Sequence, residues 1–278
     1  MLFDAHTHLN YEEYSEEERE DRARTIGESD LAYIIDVGDN VSSTELAIEN
    51  AHKYSWCYAS AGIHPEHAST ATDEDINRIR ELAKDEKVKA IGEIGLDFYY
   101  GKDDRPQQID LFRKQLKLAN ELRLPIIVHT RDANQLTLDI LKEEGAFSDE
   151  RKSWFPKRPG ENREMVDDAR VQLHCYSGSV ELALEYVKLG ATISLGGPVT
   201  FKNGRKAVEV LKAIPIEFIM SETDAPFMAP EPLRGRPNRA EYVEHVVRRM
   251  ALLKGISYED AATKLTENGC RFFNIETN

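Results

Sequence analysis

The chain has 278 residues, 41% hydrophobic and 31% charged, with 36 Lys and Arg against 50 Asp and Glu for a net charge of −14. That length suits two modest domains or one large barrel, and the apolar share suffices for a core beneath an acidic surface. The acidic balance excludes a protein that grips nucleic acid along its length, because such grip scales with Lys and Arg contacts to phosphate.

From the N-terminus, short β-rich apolar runs alternate with segments of helical period. A run at 2–9 precedes a helix at 12–28, one at 31–37 precedes 43–54, one at 56–63 precedes 73–84, and one at 88–96 precedes 107–123. The pattern continues with 125–129 and 133–144, 171–176 and 180–189, 191–195 and 205–213, then 217–222 and 239–253. Eight β-α alternations predict parallel strands joined by crossover helices, closed as a TIM-type (β/α)8 barrel, an α/β fold in a single domain over 1–278. An open doubly wound sheet would carry a phosphate-binding glycine loop after an early strand, and neither G-x-G-x-x-G nor G-x-x-x-x-G-K-[ST] occurs.

Strand-end spacing stretches to 45 residues between His129 and His174, which predicts an insertion at 146–170 before the sixth strand, on the face opposite the barrel mouth. Its core at 151–163 carries five basic residues and one acidic, with Trp154 and Phe155 among them. A solvated surface insertion or an oligomer contact is the expected reading, and a nucleic-acid contact the alternative. The cysteines Cys57, Cys175 and Cys270 are odd in number and scattered, as reduced thiols would be. No basic-then-apolar start and no long apolar window occur, so a cytoplasmic location without membrane contact is expected.

The polar residues that end the runs carry the chemistry. His6, His8, His64, Glu93, His129, His174 and Asp224 all fall at or near run ends, which a barrel gathers on one face. Strand alternation aims His6 and His8 the same way with Asp4 one layer deeper, and aims Cys175 away from His174 toward the helices. His52, His67 and His245 lie on helices or loops and read as surface residues. Burying four imidazoles and two carboxylates together without a cation would leave polar groups poorly satisfied, which favours a metal centre over hydrogen-bonded core histidines.

The stretches Phe3 to Leu9, Gly62 to Pro65, Ile91 to Asp97, Val128 to Ala133, His174 to Gly178 and Glu222 to Phe227 together resemble the successive signatures of the TatD family of metal-dependent hydrolases and deoxyribonucleases. The resemblance continues through Arg234 to Arg239. It implies two divalent ions about 3.5–4 Å apart. His6, His8 and Asp224 would hold the first, His129 and His174 the second, and Glu93 would bridge them. Zinc, manganese, magnesium, iron and cobalt all suit such donors. The ions would activate a shared water, with Asp224 orienting it and taking its proton.

His64 and Arg131 are the candidate phosphate contacts. Their plainer alternatives are a histidine fixing the 62–65 turn and an ordinary salt bridge. Asp97 and the loop at 234–238 are expected to shape the pocket. Two cations, Glu93, Asp224 and a hydroxide leave a local balance of about +1, which would let an acidic protein bind an anion. The leading expectation is a deoxyribonuclease acting on DNA at strand ends, with no obligate protein partner. The alternative is a metal-dependent deacylase or amidase, for example on aminoacyl-tRNA. A metal-loaded scaffold without turnover and a PHP-type phosphoesterase fit less well, because all six ligand positions are filled and Glu93 with the Glu222 to Asp224 segment follows the TatD pattern.

Overall fold

The computed structural model describes residues 1–100 and 103–276. Its main sheet holds β1 (Leu2–Thr7), β2 (Leu31–Val37), β3 (Cys57–Ala61), β4 (Val88–Asp97), β5 (Ile126–Arg131), β8 (Val171–Leu173), β9 (Thr192–Leu195) and β10 (Ile219–Ser221) in that order, with every pairing parallel. Between β5 and β8 lies a two-stranded antiparallel ribbon, β6 (Arg158–Pro159) and β7 (Met165–Val166). Helices α1 (Glu16–Gly27), α2 (Val41–Lys53), α3 (Asp73–Leu82), α4 (Arg105–Leu122), α5 (Asn134–Glu143), α7 (Val180–Lys188), α8 (Arg205–Ala213) and α9 (Val243–Lys254) follow the eight sheet strands in turn. This is the expected (β/α)8 barrel.

The barrel closes between β10 and β1 through a few strong contacts. The Asp224 N–H donates to the His6 carbonyl at 2.9 Å, and the His8 N–H donates to the Ala225 carbonyl at 2.9 Å. Lower down, Ser221 Oγ donates to the Phe3 carbonyl, and Asp4 accepts from the backbone and hydroxyl of Thr223. Closure therefore sets Asp224 beside His6 and His8.

Two β-bulges govern which side chains face inward. Asp4 pairs with Ile34 and Thr7 with Asp36, so β1 takes three steps where β2 takes two. In β4, Ile91 pairs with Ile126 and Ile94 with Val128, which again leaves one extra residue. An extra residue flips the alternation beyond it and re-aims the side chain at the bulge. Below the bulges Phe3, Ala5 and Ala90 belong to the barrel interior with Ile35, Val37, Ile127 and Met220. Beyond them His6, His8 and Glu93 turn in. Asp4 is consequently on the seam facing Thr223, a correction to the expectation that it lies beneath His6 on the same face.

The sequence reading also lacked α10 (Tyr258–Phe273). Ser257 caps it by accepting from the Asp260 N–H, and its far end sends Phe272 and Phe273 into the base of the barrel, where Phe273 stacks on Phe3 with centroids 5.9 Å apart.

The insertion is built around inward-facing arginines. Within the short helix α6 (Asp149–Ser153), Arg151 is fully buried and donates to the Ala169 carbonyl, Asn120 Oδ1 and the Leu124 carbonyl at 2.8–3.0 Å. Arg158, also fully buried, donates to Thr192 Oγ1 and the Glu217 carbonyl, and Asp168 pairs with Arg271. Trp154 and Phe155 lie against Arg151 rather than free in solvent. Two of the five basic residues at 151–163 therefore seal the barrel base and are unavailable to nucleic acid, while Lys157 and Arg163 stay exposed at the surface.

Candidate metal centre

At the C-terminal ends of the strands, the six residues His6, His8, Glu93, His129, His174 and Asp224 converge. His6 Nε2 lies 3.2 Å from His8 Nε2 and 3.3 Å from Glu93 Oε2. On the other side of the same carboxylate, Glu93 Oε1 lies 2.8 Å from His129 Nδ1 and 3.7 Å from His174 Nε2. Asp224 Oδ1 stands between the two groups, 3.6 Å from His8 Nε2 and 3.8 Å from both His6 Nε2 and His174 Nε2. The two oxygens of Glu93 thus divide between two clusters of imidazole nitrogen.

The partners on the far side of each ring decide what the converging nitrogens offer. His8 Nδ1 faces the Val37 carbonyl at 3.0 Å, which can only accept, so in the neutral ring Nδ1 holds the proton and Nε2 presents a lone pair. His174 Nδ1 faces Glu222 Oε2 at 2.9 Å, and His129 Nε2 faces Asp97 Oδ2 at 3.2 Å. Those carboxylates leave His174 Nε2 and His129 Nδ1 as lone pairs aimed at Glu93. His6 Nδ1 is buried without a hydrogen-bond partner among the described residues, and the His6 and His174 rings stack with centroids 3.4 Å apart.

This donor set fits divalent cations. Ligand atoms about 2.0–2.2 Å from a metal are roughly 3.0–3.5 Å from one another, the range in which the closest pairs lie. The carboxylates also call for positive charge. Against the penalty of burial, Asp224 raises His8 to about 9, Asp97 and Glu93 raise His129 to about 9, and Glu222 and Glu93 raise His174 to about 9. Burial opposes ionisation of Glu93 and Asp224, yet the surrounding imidazoles hold both below the usual carboxylate range. A cation would replace those protons.

His64 differs in kind from the six. As N-cap of the turn Pro65–His67, its Nδ1 accepts from the Glu66 N–H at 3.2 Å, so the neutral ring carries its proton on Nε2, which points toward Glu93 Oε1 at 3.9 Å. Burial and the neighbouring His129 push it down to about 3, which keeps it neutral. It thus caps the turn at Pro65–His67 and also presents an N–H to the pocket. Arg131 makes no salt bridge among the described residues. Its guanidinium lies over the rings of Tyr99 and Tyr100 at 4.0 and 4.8 Å, at the rim rather than in the centre.

Two further carboxylates belong here. Asp97 holds His129 and accepts the Tyr99 and Tyr100 N–H groups, while Glu222, wholly buried, holds His174 and accepts the Cys175 N–H at 2.6 Å. Glu222 lies just past β10, which ends at Ser221, so strand alternation does not reach it. Counting both, two cations and a hydroxide leave a balance near −1 rather than the expected +1. Cys175 also departs from expectation. β8 ends at Leu173, Cys175 turns to a φ of 43°, and its thiol comes within reach of His174 and Asp224 instead of facing the helices. Asn238 is buried and braces the turn after β10 by donating to the Thr223 and Phe227 carbonyls.

The sequence pattern of the family described as TatD related DNase matches residues 3–274. The chain is 41% identical to the metal-dependent hydrolase YabD of Bacillus subtilis, over 99% of this chain and all of the relative. It is 29% identical to the protein named 3'-5' ssDNA/RNA exonuclease TatD of Erwinia tasmaniensis, over 99% of this chain and all of that one. Among solved structures, the TatD homolog YJJV of Escherichia coli superposes with a TM-score of 0.84 at 27% identity, over 99% of this chain and 98% of the other.

Proposed function

The chain belongs to the TatD family of metal-dependent hydrolases, and from that premise we propose that it is a two-cation deoxyribonuclease that hydrolyses phosphodiesters at strand ends. The observation that carries this reading is the division of the Glu93 oxygens between two sets of imidazole lone pairs. His6, His8 and Asp224 would hold one ion, His129 and His174 the other, with Glu93 between them. Bound divalent cations supply the Lewis acidity that makes water nucleophilic near neutral pH and draws charge from the scissile phosphate.

The side chains supply the rest. Asp224, held ionised by its histidines, orients the attacking water and takes its proton. The water oxygen bonds to phosphorus, the bond from phosphorus to the leaving oxygen breaks, and the proton passes from Asp224 to that oxygen. The His64 Nε2–H donates to a non-bridging phosphate oxygen, a role for which its neutral state suits it.

One observation favours a second reading, hydrolysis of an aminoacyl ester. Glu12, Glu13, Asp39 and Glu66 line the mouth without a Lys or Arg partner among the described residues, and would pair with an ammonium. The test is a panel in which metal-reconstituted enzyme meets 5′- and 3′-labelled single-stranded DNA, RNA and aminoacyl-tRNA, with Glu93→Ala and Asp224→Ala as controls. DNA cleavage lost in both controls is expected. Deacylation without nucleic-acid cleavage would reject the leading reading.

A further inference from the structure

The cavity over the centre, about 370 Å³, is at the small end of ligand-pocket sizes and its rim is electrically lopsided. The loops after β1, β2 and β3 bring Glu12, Glu13, Asp39 and Glu66 to its wall. Two of these are fixed in place: Glu12 accepts from Asn40 and Ser42, and Asp39 accepts from Ser43. Arg131, the last residue of β5, instead stacks on Tyr99 and Tyr100 in the loop after β4, residues that are 50% and 73% exposed. An exposed aromatic pair under a guanidinium is a surface on which unpaired bases stack.

A polynucleotide cannot cross this mouth evenly. A phosphate one nucleotide beyond the scissile one, if directed to the carboxylate wall, would meet up to four like charges, each weakening binding by roughly 3- to 100-fold at about 6 Å. An uncharged nucleoside end meets no such penalty, and its hydroxyls can donate to the same carboxylates. We infer that the acidic wall admits only a hydroxyl-terminated strand end, while the remainder of the strand leaves over Tyr99, Tyr100 and Arg131. The inference rests on the nuclease reading and adds what makes the enzyme act from an end: the wall, rather than the metal ligands, blocks a continuing strand.

The experiment compares kcat/KM of metal-reconstituted enzyme on four single-stranded 20-mers, with hydroxyl or phosphate at either end, on a circular single strand, and on bis(p-nitrophenyl) phosphate. Whichever end is attacked, its phosphorylated form is expected to react about 30-fold or more slowly, and the circle to resist. In the exposed triple variant Glu12→Gln, Glu13→Gln, Glu66→Gln, the ratio of phosphate-ended to hydroxyl-ended rate rises toward one. In Tyr99→Ala with Tyr100→Ala, the ratio of 20-mer to bis(p-nitrophenyl) phosphate falls about 10-fold or more. Phosphate-ended and circular strands cleaved within about 3-fold of the hydroxyl-ended strand would overturn the inference and leave the nuclease reading standing. No hydrolysis of any phosphodiester would remove both.

Discussion

Replacing Glu222 by Gln isolates the contribution of a carboxylate that supports the candidate centre by its hydrogen bond to His174. Its Oε2 faces His174 Nδ1 at 2.9 Å and its Oε1 accepts from the Cys175 N–H at 2.6 Å. A glutamine has one oxygen for these two donors and for Ser194 Oγ and Gln172 Nε2, which also donate to Oε2. If its NH2 faces His174, Nδ1 must accept, the ring proton moves to Nε2, and the lone pair directed at Glu93 and Asp224 is lost. If its NH2 faces Cys175, two N–H groups oppose each other in a buried pocket. Either way one hydrogen bond to a charged group disappears, worth about 1.5–3 kcal/mol, in line with the roughly 10- to 100-fold that such supporting groups contribute to metal affinity. Calorimetric titration of metal-free protein with Mn²⁺ should show one of two binding events weakened by about 10- to 100-fold, the other little changed. Unaltered affinities in a variant whose circular dichroism matches the parent would refute the role given to Glu222.

Three other expectations follow from particular contacts. A Cβ at Gly95, where φ is 147°, would overlap the His129 carbonyl, so Gly95→Ala should push β5 and His129 away, lowering stability by about 2–4 kcal/mol in urea and impairing metal binding. Because His8, His129 and His174 are each raised to about 9, metal loading at pH 7 should release up to three protons per chain and tighten as pH rises, which titration in buffers of different ionisation enthalpy measures. Asp36 is pushed up to about 6 by burial, despite accepting from the Asn10 N–H and Asn50 Nδ2. Its folded pKa exceeds the unfolded one, so its contribution to stability is full below about pH 4 and lost as pH rises through about 6. Asp36→Asn, with the Asn50 amide turned to accept, should therefore gain about 2 kcal/mol on the parent between about pH 4.5 and 8, measured by denaturant titration at both pH values.

The strands were legible because each is a short apolar run, six of the eight with a polar residue at or near the end, and the centre was legible because barrel closure brings those ends together. What stayed hidden depends on backbone detail. Alternation placed Asp4 with His6, and only the extra residue in β1 separates them. Glu222 and Asp97 act through hydrogen bonds to histidines that no spacing rule specifies. Arg151 and Arg158 look like surface charge until backbone carbonyls are seen to satisfy them. The run at 171–176 suggested a strand long enough to turn Cys175 outward, whereas pairing ends at Leu173. In α10, the cap at Ser257 and Asp260 followed by Ala261, Leu265 and Phe272 was a readable helix signal.

Anomalous diffraction from crystals grown with Mn²⁺ tests the central claim most directly. Two peaks about 3.5–4 Å apart on either side of the Glu93 carboxylate are predicted, one against His6 and His8 and the other against His129 and His174. Occupancy of one or both should be lost in Glu93→Ala. A single peak, or two that do not share Glu93, would contradict the account.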